Sequence, residues 1–485
     1  MKRQSSIAAL LLCSMLLSLD SWAQSASDAL RYSLTNGSGT ARSMGAGGAF
    51  GALGADFSSA SINPAGLGLY QKSEFTLTPS LSFSSSDADF LGNDFTDKRS
   101  NFNVNNVGFV FANKSNGNFR ANFAMGVNRI ANYNQRFSFE GLNTTNSVTD
   151  YYAKLASGIP ESDLYQKNTD FASLAYSSYL IDPVVGADNQ YMSIIPNGNI
   201  QQQQSTNIKG GKDEYLMGMG ASYKDKIYFG ATLGLPYTHY LVKNTYSETD
   251  VNNVDIHNDF ESFEELDEIN TTGLGVNGKF GLLYRPADFL RLGIAAQTPT
   301  NNRFKDDFSA SILAKFNGFD PGLQTTAASD LQPFSYTLIS PWSFTASAAG
   351  IVKKLGFISV DYQWIDYSQM EYRFDDDPFI ANQKNENIRS QYQAVSNLRV
   401  GAEYAYKMVR ARAGFAYQTS PYKDKPEFGT QSISAGLGVR EESIYADVAF
   451  VHTLNKNTYS PYPDAPMVSL NNRFNNLLFT FGYRF

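Results

Sequence analysis

Residues 477–485 read LLFTFGYRF, and this stretch indicates the fold class of the chain. Large apolar side chains occupy every second position: Leu477, Phe479, Phe481, Tyr483 and Phe485. Leu, Thr, Gly and Arg alternate with them. Because successive side chains of a β-strand point to opposite faces, the stretch predicts a strand with one largely aromatic face.

The same period of two recurs along the chain, in residues 75–83, 290–296, 398–404 and 409–417. A soluble β-sandwich alternates in the same way, so the lengths of the connections must separate the two folds. Short turns are predicted at residues 115–118, 224–226, 285–288, 353–356, 405–408 and 440–443, each followed by a longer polar segment. Short turns at one end and long loops at the other are typical of bacterial outer-membrane barrels.

Six short turns and seven long loops predict an all-β fold, a 14-stranded antiparallel transmembrane β-barrel over residues 75–485. The last strand resembles the terminal strand that the barrel-assembly machinery recognises. The longest predicted outer loop, residues 141–213, includes a helix-like piece, Ser147–Leu155, and a glutamine run, Gln201–Gln204. Such a barrel is too wide for its own side chains to fill, so it is either plugged or open.

Residues 1–23 are predicted to be a signal peptide. Lys2 and Arg3 precede an apolar run, and Ser21-Trp22-Ala23 offers small residues for cleavage before Gln24. The expected location is the outer membrane of a Gram-negative bacterium, reached through the periplasm. Cys13 is the single cysteine and lies in the apolar run, which excludes disulfides, thiolate metal sites and cysteine catalysis in the mature chain.

Residues 24–74 precede the first strand and are rich in small residues, which suits a hatch folded inside the barrel lumen. Asn63 followed by Pro64 predicts an N-cap and the first position of a short helical turn. A phosphate-binding glycine loop is excluded, because Phe50 takes the place of the last glycine and no Lys-Ser/Thr follows. The candidate hatch residues are Gly45, Gly47, Gly48, Phe50, Asn63, Pro64 and Ala65.

A family resemblance rests on residues 39–69, with ARSMG at 41–45, GAF at 48–50 and NPA at 63–65. This stretch resembles the amino-terminal hatch of FadL/TodX transporters, most closely a branch common in Bacteroidetes, some of whose members carry a "hemin receptor" label. The resemblance implies that the hatch blocks the lumen. It also implies that ligands arrive from outside, pass hydrophobic sites and leave sideways at an inward kink in the third strand.

The third strand carries a charge where lipid is expected. By alternation from Phe119, Arg129 falls on the lipid-facing side, where a charge costs about 2–4 kcal/mol near the midplane. A kink or bulge between Gly126 and Asn132 would turn Arg129 away from lipid. Alternatively, Arg129 lies high enough to reach the interface. The candidates for a lateral gap are therefore Gly126, Asn128 and Arg129.

Seven charged side chains should face the lumen by alternation: Arg120, Arg291, Arg399, Glu403, Arg410, Arg412 and Asp447. We expect most of them to hold the hatch through hydrogen bonds and ion pairs, and one or two to meet a ligand carboxylate. Acidic runs at Asp259–Glu265 and Asp375–Asp377 are expected to be solvated loop charge, with calcium bridging to lipopolysaccharide as the alternative.

The sequence contains no recognisable motif for catalysis or cofactor binding. His239, His257 and His452 lie in unrelated segments, and neither Gly-x-Ser-x-Gly nor Cys-x-x-Cys-His occurs. We therefore expect no enzyme activity, no cofactor and no metal, and the mildly acidic balance argues against nucleic acid.

The interpretation is a monomeric channel for passive uptake of small hydrophobic molecules, with long-chain fatty acids as the first choice of ligand. Its expected partners are that ligand, outer-membrane lipid and lipopolysaccharide, and the assembly machinery. Two alternatives remain: a haem receptor, and a surface-display or adhesion barrel that acts through its long outer loops.

Overall fold

The computed structural model describes residues 25–35, 39–113, 118–167, 170–195, 199–251, 260–317, 323–329, 331–352, 355–374 and 377–485. The predicted signal peptide, His257, Asp259, Asp375–Asp376 and parts of the turns at 115–118 and 353–356 lie outside these residues. Among the described helices, none combines the length and the apolar character needed to cross a membrane.

The strands close into an antiparallel barrel, because the first strand pairs with the last from Glu74↔Arg484 to Asp89↔Ser469. Four of the fourteen barrel strands are interrupted: the third consists of β3 and β4, the seventh of β10 and β11, the eighth of β12–β14 and the ninth of β15 and β16. The strands are β1 Glu74–Phe90, β2 Asn93–Ala112, β3 Phe119–Asn132, β4 Gln135–Asn143, β5 Ile181–Pro183, β6 Tyr191–Ser193, β7 Ile200–Tyr223, β8 Ile227–Thr249, β9 Phe260–Ala287, β10 Leu290–Gln297, β11 Asn301–Phe316, β12 Leu323–Ala328, β13 Gln332–Ile339, β14 Ser343–Val352, β15 Gly356–Asp366, β16 Glu371–Arg373, β17 Ala394–Tyr406, β18 Val409–Gln418, β19 Thr430–Arg440, β20 Ile444–Tyr459 and β21 Val468–Arg484. The predicted fourteen-stranded antiparallel barrel is confirmed.

The outer face of the wall is apolar, unlike the surface of a soluble protein, and polar side chains alternate with the outward apolar ones on many strands. Phe481 and Tyr483 of β21 point outward and are about half exposed, whereas Thr480 points inward and is buried. The same alternation holds for Leu233 and Leu235 against Thr232 on β8. An outward apolar band on alternating strands is what contact with lipid requires.

Two predicted connections were wrong. The first outer connection is the two-residue turn Leu91–Gly92, where both residues have positive φ (54° and 84°), as in a tight hairpin turn, and not a long loop. The predicted loop 141–213 is shorter, because β4 continues to Asn143 and β7 begins at Ile200. The glutamine run therefore belongs to a strand: Gln202 and Gln204 are buried and donate to polar lumenal groups, including Tyr462 (2.7 Å) and Tyr459 (2.8 Å).

The α-helices of the described residues form two groups and one separate element, and two short 3₁₀ helices, Tyr367–Gln369 and Pro426–Phe428, lie outside them. Those in the hatch region are α1 Ala26–Ser33, α2 Ala41–Gly45, α3 Ser59–Ile62 and the 3₁₀ turn Pro64–Leu69. An outer cap, residues 144–199, contains α4 Val148–Ala156, α5 Glu161–Lys167, α6 Phe171–Ser177 and the β5–β6 hairpin. The separate helix is α7 Pro378–Gln391. Tyr152 and Phe171 of the cap join one apolar cluster with Phe263 and Ile312 of the barrel wall. The cap therefore lies against the inner face of the wall at its outer end.

Candidate functional site: hatch, lumen and lateral seam

The hatch is organised by two buried polar residues. Asp56 accepts hydrogen bonds from the hydroxyls of Thr40 (2.9 Å) and Ser58 (2.6 Å), which ties the start of α2 to the loop before α3. Asn63 accepts from the amide of Ala65 (3.2 Å) and donates to the carbonyl of Gly51 (2.6 Å). Asn63 is thus the N-cap of a turn with Pro64 in its first position.

Glycines of the barrel wall receive the backbone of the hatch. A Cβ atom on Gly401 would overlap the carbonyl oxygen of Ala46, and one on Gly414 would overlap the amide of Gly47. Gly47 itself has φ +66°, and a Cβ there would lie 2.9 Å from the carbonyl oxygen of Val400. Atoms of the hatch also lie near the position of an added Cβ at further wall glycines: Gly230, Gly281, Gly293 and, less closely, Gly436. Sequence reasoning missed these wall positions, although their signal was a set of glycines on inward-facing strand positions.

The other predicted hatch residues also lie against the wall. Gly45 contacts Gly436, and Gly48 adopts φ +72° beside the side chain of Arg399. Phe50 is fully buried and packs edge-to-face on Phe357, with 5.7 Å between the ring centroids. The lumen at this level is filled by hatch residues.

Three of the predicted lumenal charges gather in one buried network. The guanidinium of Arg412 donates to Glu403 (2.6 Å) and Asp447 (2.6 Å), and its side chain is inaccessible to solvent. Glu403 also lies 3.6 Å from Arg42 of the hatch. Arg440, which the sequence reasoning missed, lies 3.5 Å from Asp447. This network fixes α2 to the wall through Arg42.

The remaining predicted charges lie elsewhere. Arg120 donates to the carbonyl of Gly68 (3.3 Å), Arg291 to that of Leu53, and Arg399 to Gln363. Arg410 was expected to hold the hatch, but its guanidinium donates to the backbone of its own turn, at Lys407 (2.7 Å) and Val409 (2.9 Å). The reason is its position next to the turn, where its side chain can fold back onto these two carbonyls.

Replacing Arg412 with Met should destabilise the protein by about 3 kcal/mol, because two buried carboxylates would lose their shortest ion pair and keep only the longer contacts with Arg42 (3.6 Å) and Arg440 (3.5 Å). Urea unfolding of the protein in lipid vesicles measures this change. Arg410→Met is the matched control and should have a much smaller effect, because the hydrogen bonds of the Arg410 guanidinium to described residues go to the backbone of its own turn. Equal effects of the two substitutions would contradict the proposed role of the network.

Above the hatch, α1 fills an aromatic chamber. Tyr32 packs on Phe304, with 4.8 Å between ring centroids, and contacts Tyr133 and Tyr240. The chamber is also lined by Tyr336, Leu338, Tyr367, Met370, Tyr372 and Ile388. Lys212, almost fully buried, donates to the carbonyl of Tyr32 (2.8 Å). Beside Lys212 lie an ion pair, Lys279–Glu214, and a cavity of about 100 Å³.

A seam in the barrel wall lies beside the third strand. The ladder between β2 and β3 runs from Ala112↔Asn122 to Asn106↔Asn128. Past that point, the described residues show no ladder between β2 and β4. Each hydrogen bond or ion pair between the two strands in the described residues involves at least one side chain, as in the ion pair of Asp97 with Arg136 (3.4 Å) and the hydrogen bond from Ser138 to Asp97. We call this ladder-free boundary, residues 93–105 of β2 against β4, the lateral seam.

The three predicted kink residues lie at or just below the lateral seam. Arg129 lies at a bulge against β7 and donates twice to Asp213, at 2.8 Å each. Asn128 donates to the Ser61 hydroxyl of the hatch (2.8 Å), and a Cβ on Gly126 would lie 2.6 Å from the ring of Phe57. A pocket of about 560 Å³ lies at the seam, lined by Phe102, Asn103, Arg129, Asn134, Gly211, Asp213, Tyr237 and His239.

The histidines within the described residues do not come together. His239 lines the seam pocket, whereas His452 hydrogen-bonds Asn475 (2.7 Å). Across the described ranges, no group of three or more His, Cys, Asp and Glu side chains is placed to hold a metal ion.

A comparison with family profiles identifies one family. The profile of the family described as "Outer membrane protein transport protein (OMPP1/FadL/TodX)" matches residues 215–459. A Pseudomonas aeruginosa FadL homologue is 14% identical, with 93% of this chain and 99% of that chain covered and a TM-score of 0.56. The Pseudomonas putida toluene transporter TodX is 13% identical, with coverages of 93% and 99% and a TM-score of 0.54.

The Ralstonia pickettii toluene transporter TbuX is 16% identical, with coverages of 93% and 99% and a TM-score of 0.51. At these identities the solved structures show a shared fold. A search of curated protein sequences finds no match.

Proposed function

The chain belongs to the OMPP1/FadL/TodX family of outer membrane transport proteins, and from this premise we propose that it takes up long-chain fatty acids or similar amphiphiles passively. The family consists of channels for hydrophobic compounds in the outer membrane. The proposed route begins at the outer mouth, passes the aromatic chamber and leaves sideways through the lateral seam. The observation that carries this proposal is the ladder-free seam next to the chamber.

The chamber and the seam are adjacent in the chain and in space. Tyr133 of the chamber precedes Asn134 of the seam pocket, and Tyr240 of the chamber follows His239 of that pocket. An apolar ligand that replaced the side chains of α1 would therefore lie one residue away from the seam. Opening the seam would break side-chain contacts such as the ion pair of Asp97 with the half-exposed Arg136, and ion pairs near the surface are worth only about 0–1 kcal/mol each.

A route straight through the hatch is less favourable. It would break the buried contacts of Arg42 with Glu403 and the backbone contacts at the wall glycines. Breaking a buried ion pair costs several times more than opening an exposed one. The hatch is therefore proposed to stay in place as the floor that directs the ligand toward the seam.

Lys212 is the proposed partner of the ligand's carboxylate. Its ammonium group is buried and donates to a backbone carbonyl of α1, and that partner is lost if the ligand displaces α1. A carboxylate in this position would restore the hydrogen bond and add charge attraction. The chemistry thus favours an acid over the corresponding alcohol.

Mass spectrometry of small molecules extracted from protein purified out of native outer membranes is the first test, with long-chain acids as the expected compounds. Lys212→Met should weaken binding of such an acid about tenfold, roughly 1.4 kcal/mol, and leave the matching alcohol unchanged. Lys243→Met, at a half-exposed ion pair with Glu268, is the control. A Soret band with bound porphyrin would instead indicate a haem receptor, and an empty barrel would favour display of the cap.

We also propose that the chain is exported by its signal peptide and is a monomer. We further propose that it contacts lipopolysaccharide in the membrane and the assembly machinery during insertion. The outward apolar band supports the lipid contact. Deleting cap residues 144–199 separates the adhesion alternative from transport: an adhesin would lose its activity, whereas a transporter should keep some uptake.

A further inference from the structure

A cavity of about 400 Å³ lies between the hatch and the short turns of the barrel. The hatch side is formed by Leu53–Ala55 and Leu69, and the other sides by strand ends next to the turns. Five arginines and two carboxylates line it: Arg42, Arg120, Arg285, Arg291, Arg410, Asp225 and Glu403. The excess of positive charge in a concave site attracts anions.

The carboxylates leave two of these arginines without a charged partner. Asp225 pairs with Arg120 (2.9 Å), and Glu403 is shared by Arg412 and Arg42. Arg285 pairs with Asp288 (2.7 Å).

Arg291 and Arg410 have no ion pair among the described residues, and the hydrogen bonds of their guanidinium groups go to backbone carbonyls. The Nε atom of Arg291 is buried and has no hydrogen-bond partner in the described chain. The cavity therefore contains cationic donors that only a bound anion would neutralise.

The arrangement of the arginine side chains around the cavity indicates which kind of anion would fit. Arg42 comes from the hatch, Arg120 from β3, Arg291 from β10 and Arg410 from β18, so guanidinium groups line the cavity from several sides. A carboxylate presents one edge to a guanidinium fork, whereas a phosphate group presents oxygens in several directions. We propose that this cavity binds a phosphate group, with Arg291 and Arg410 as its principal donors.

The phosphate group has two possible sources with the same chemistry. It is either a free phosphate from the solution on this side of the membrane or the headgroup of a lipid whose apolar part contacts Ile351, Val352 and Phe357 of the lining. This site is independent of the proposed ligand route, because the hatch separates it from the aromatic chamber.

Isothermal titration calorimetry tests the proposal by measuring the affinity of the full-length mature protein, in a detergent without a phosphate group, for two probes. These probes are inorganic phosphate and a short-chain phosphatidylglycerol. Arg291→Gln and Arg410→Gln should each weaken binding about tenfold. Arg373→Gln is the control, since Arg373 pairs with Glu371 on the exposed surface. Binding of inorganic phosphate supports a free anion, and binding of the lipid probe alone supports a headgroup.

The proposal is overturned if neither probe binds, or if the two lining substitutions weaken binding no more than Arg373→Gln does. Arg410→Lys, which keeps the charge, should recover part of the affinity and so separates a lost donor from a folding defect. Extraction of hydrophobic compounds from the same variants tests transport separately, so either proposal can fail without the other.

Discussion

Linking β2 to β4 with a disulfide should abolish uptake of hydrophobic ligands, and reduction should restore it. Asp97 and Ser138 are in hydrogen-bond contact across the lateral seam, so Asp97→Cys with Ser138→Cys places the two thiols close together. A covalent link keeps the strands from separating, and we expect uptake to fall about tenfold or more, at least roughly 1.4 kcal/mol in the barrier. Uptake of a labelled ligand by cells, before and after reduction, measures the effect. The single natural cysteine, Cys13, lies in the predicted signal peptide and should not interfere.

A matched disulfide elsewhere in the wall serves as the control. Ser432 and Thr453 are paired across β19 and β20, with 2.8 Å between their hydroxyl oxygens, and these strands already share a ladder. Ser432→Cys with Thr453→Cys should therefore leave uptake unchanged. Unchanged uptake in the oxidised seam variant would exclude exit through the seam and would direct attention to the hatch.

Replacing two glycines of the wall with valine should convert the closed barrel into an open pore. Gly401→Val and Gly414→Val together place side chains where the backbone of Ala46 and Gly47 lies. Overpacking costs about 1–3 kcal/mol at each site. The hatch can avoid this cost by moving away from the new valine side chains, whereas the wall strands are held in place by their backbone ladders. Conductance in planar bilayers should rise from a closed baseline to stable open steps.

The control for this variant is Gly350→Val. Gly350 lies in β14, and a Cβ there would meet no described atom within 4 Å. The control should stay closed. Both the double variant and the control should keep the heat-dependent shift in electrophoretic mobility that a folded barrel shows. A closed double variant would show that the hatch tolerates the new side chains and is not seated by these glycines.

The barrel could be predicted from the sequence because a strand in contact with lipid must alternate along its whole length. This constraint is local, so stretches such as residues 75–83 and 477–485 show it without any knowledge of their partners. The Asn63–Pro64 turn is local in the same sense, since capping involves residues two positions apart. Both features therefore appear in the printed sequence.

The wrong or missing predictions concern features that depend on residues far away in the sequence or on backbone angles that residue types do not reveal. The run Gln201–Gln204 is polar and suggested a loop, but a polar lumen accepts polar side chains on a strand. The turn at Leu91–Gly92 requires positive φ at a leucine, which composition does not indicate. The fit of Ala46 to Gly401 joins residues more than three hundred positions apart, and their pairing is visible only once the barrel has closed.

Closing a sheet into a barrel normally removes its free edges, but the lateral seam leaves two of them, on β2 and on β4. A free edge presents unpaired backbone groups that can recruit another strand and start aggregation. Here Asp97, Lys98 and Arg99 lie along one edge and Arg136 along the other, and charges in these positions disfavour a new strand. We therefore expect the charged side chains along the seam to keep the two edges from pairing with a strand of another molecule while the barrel assembles.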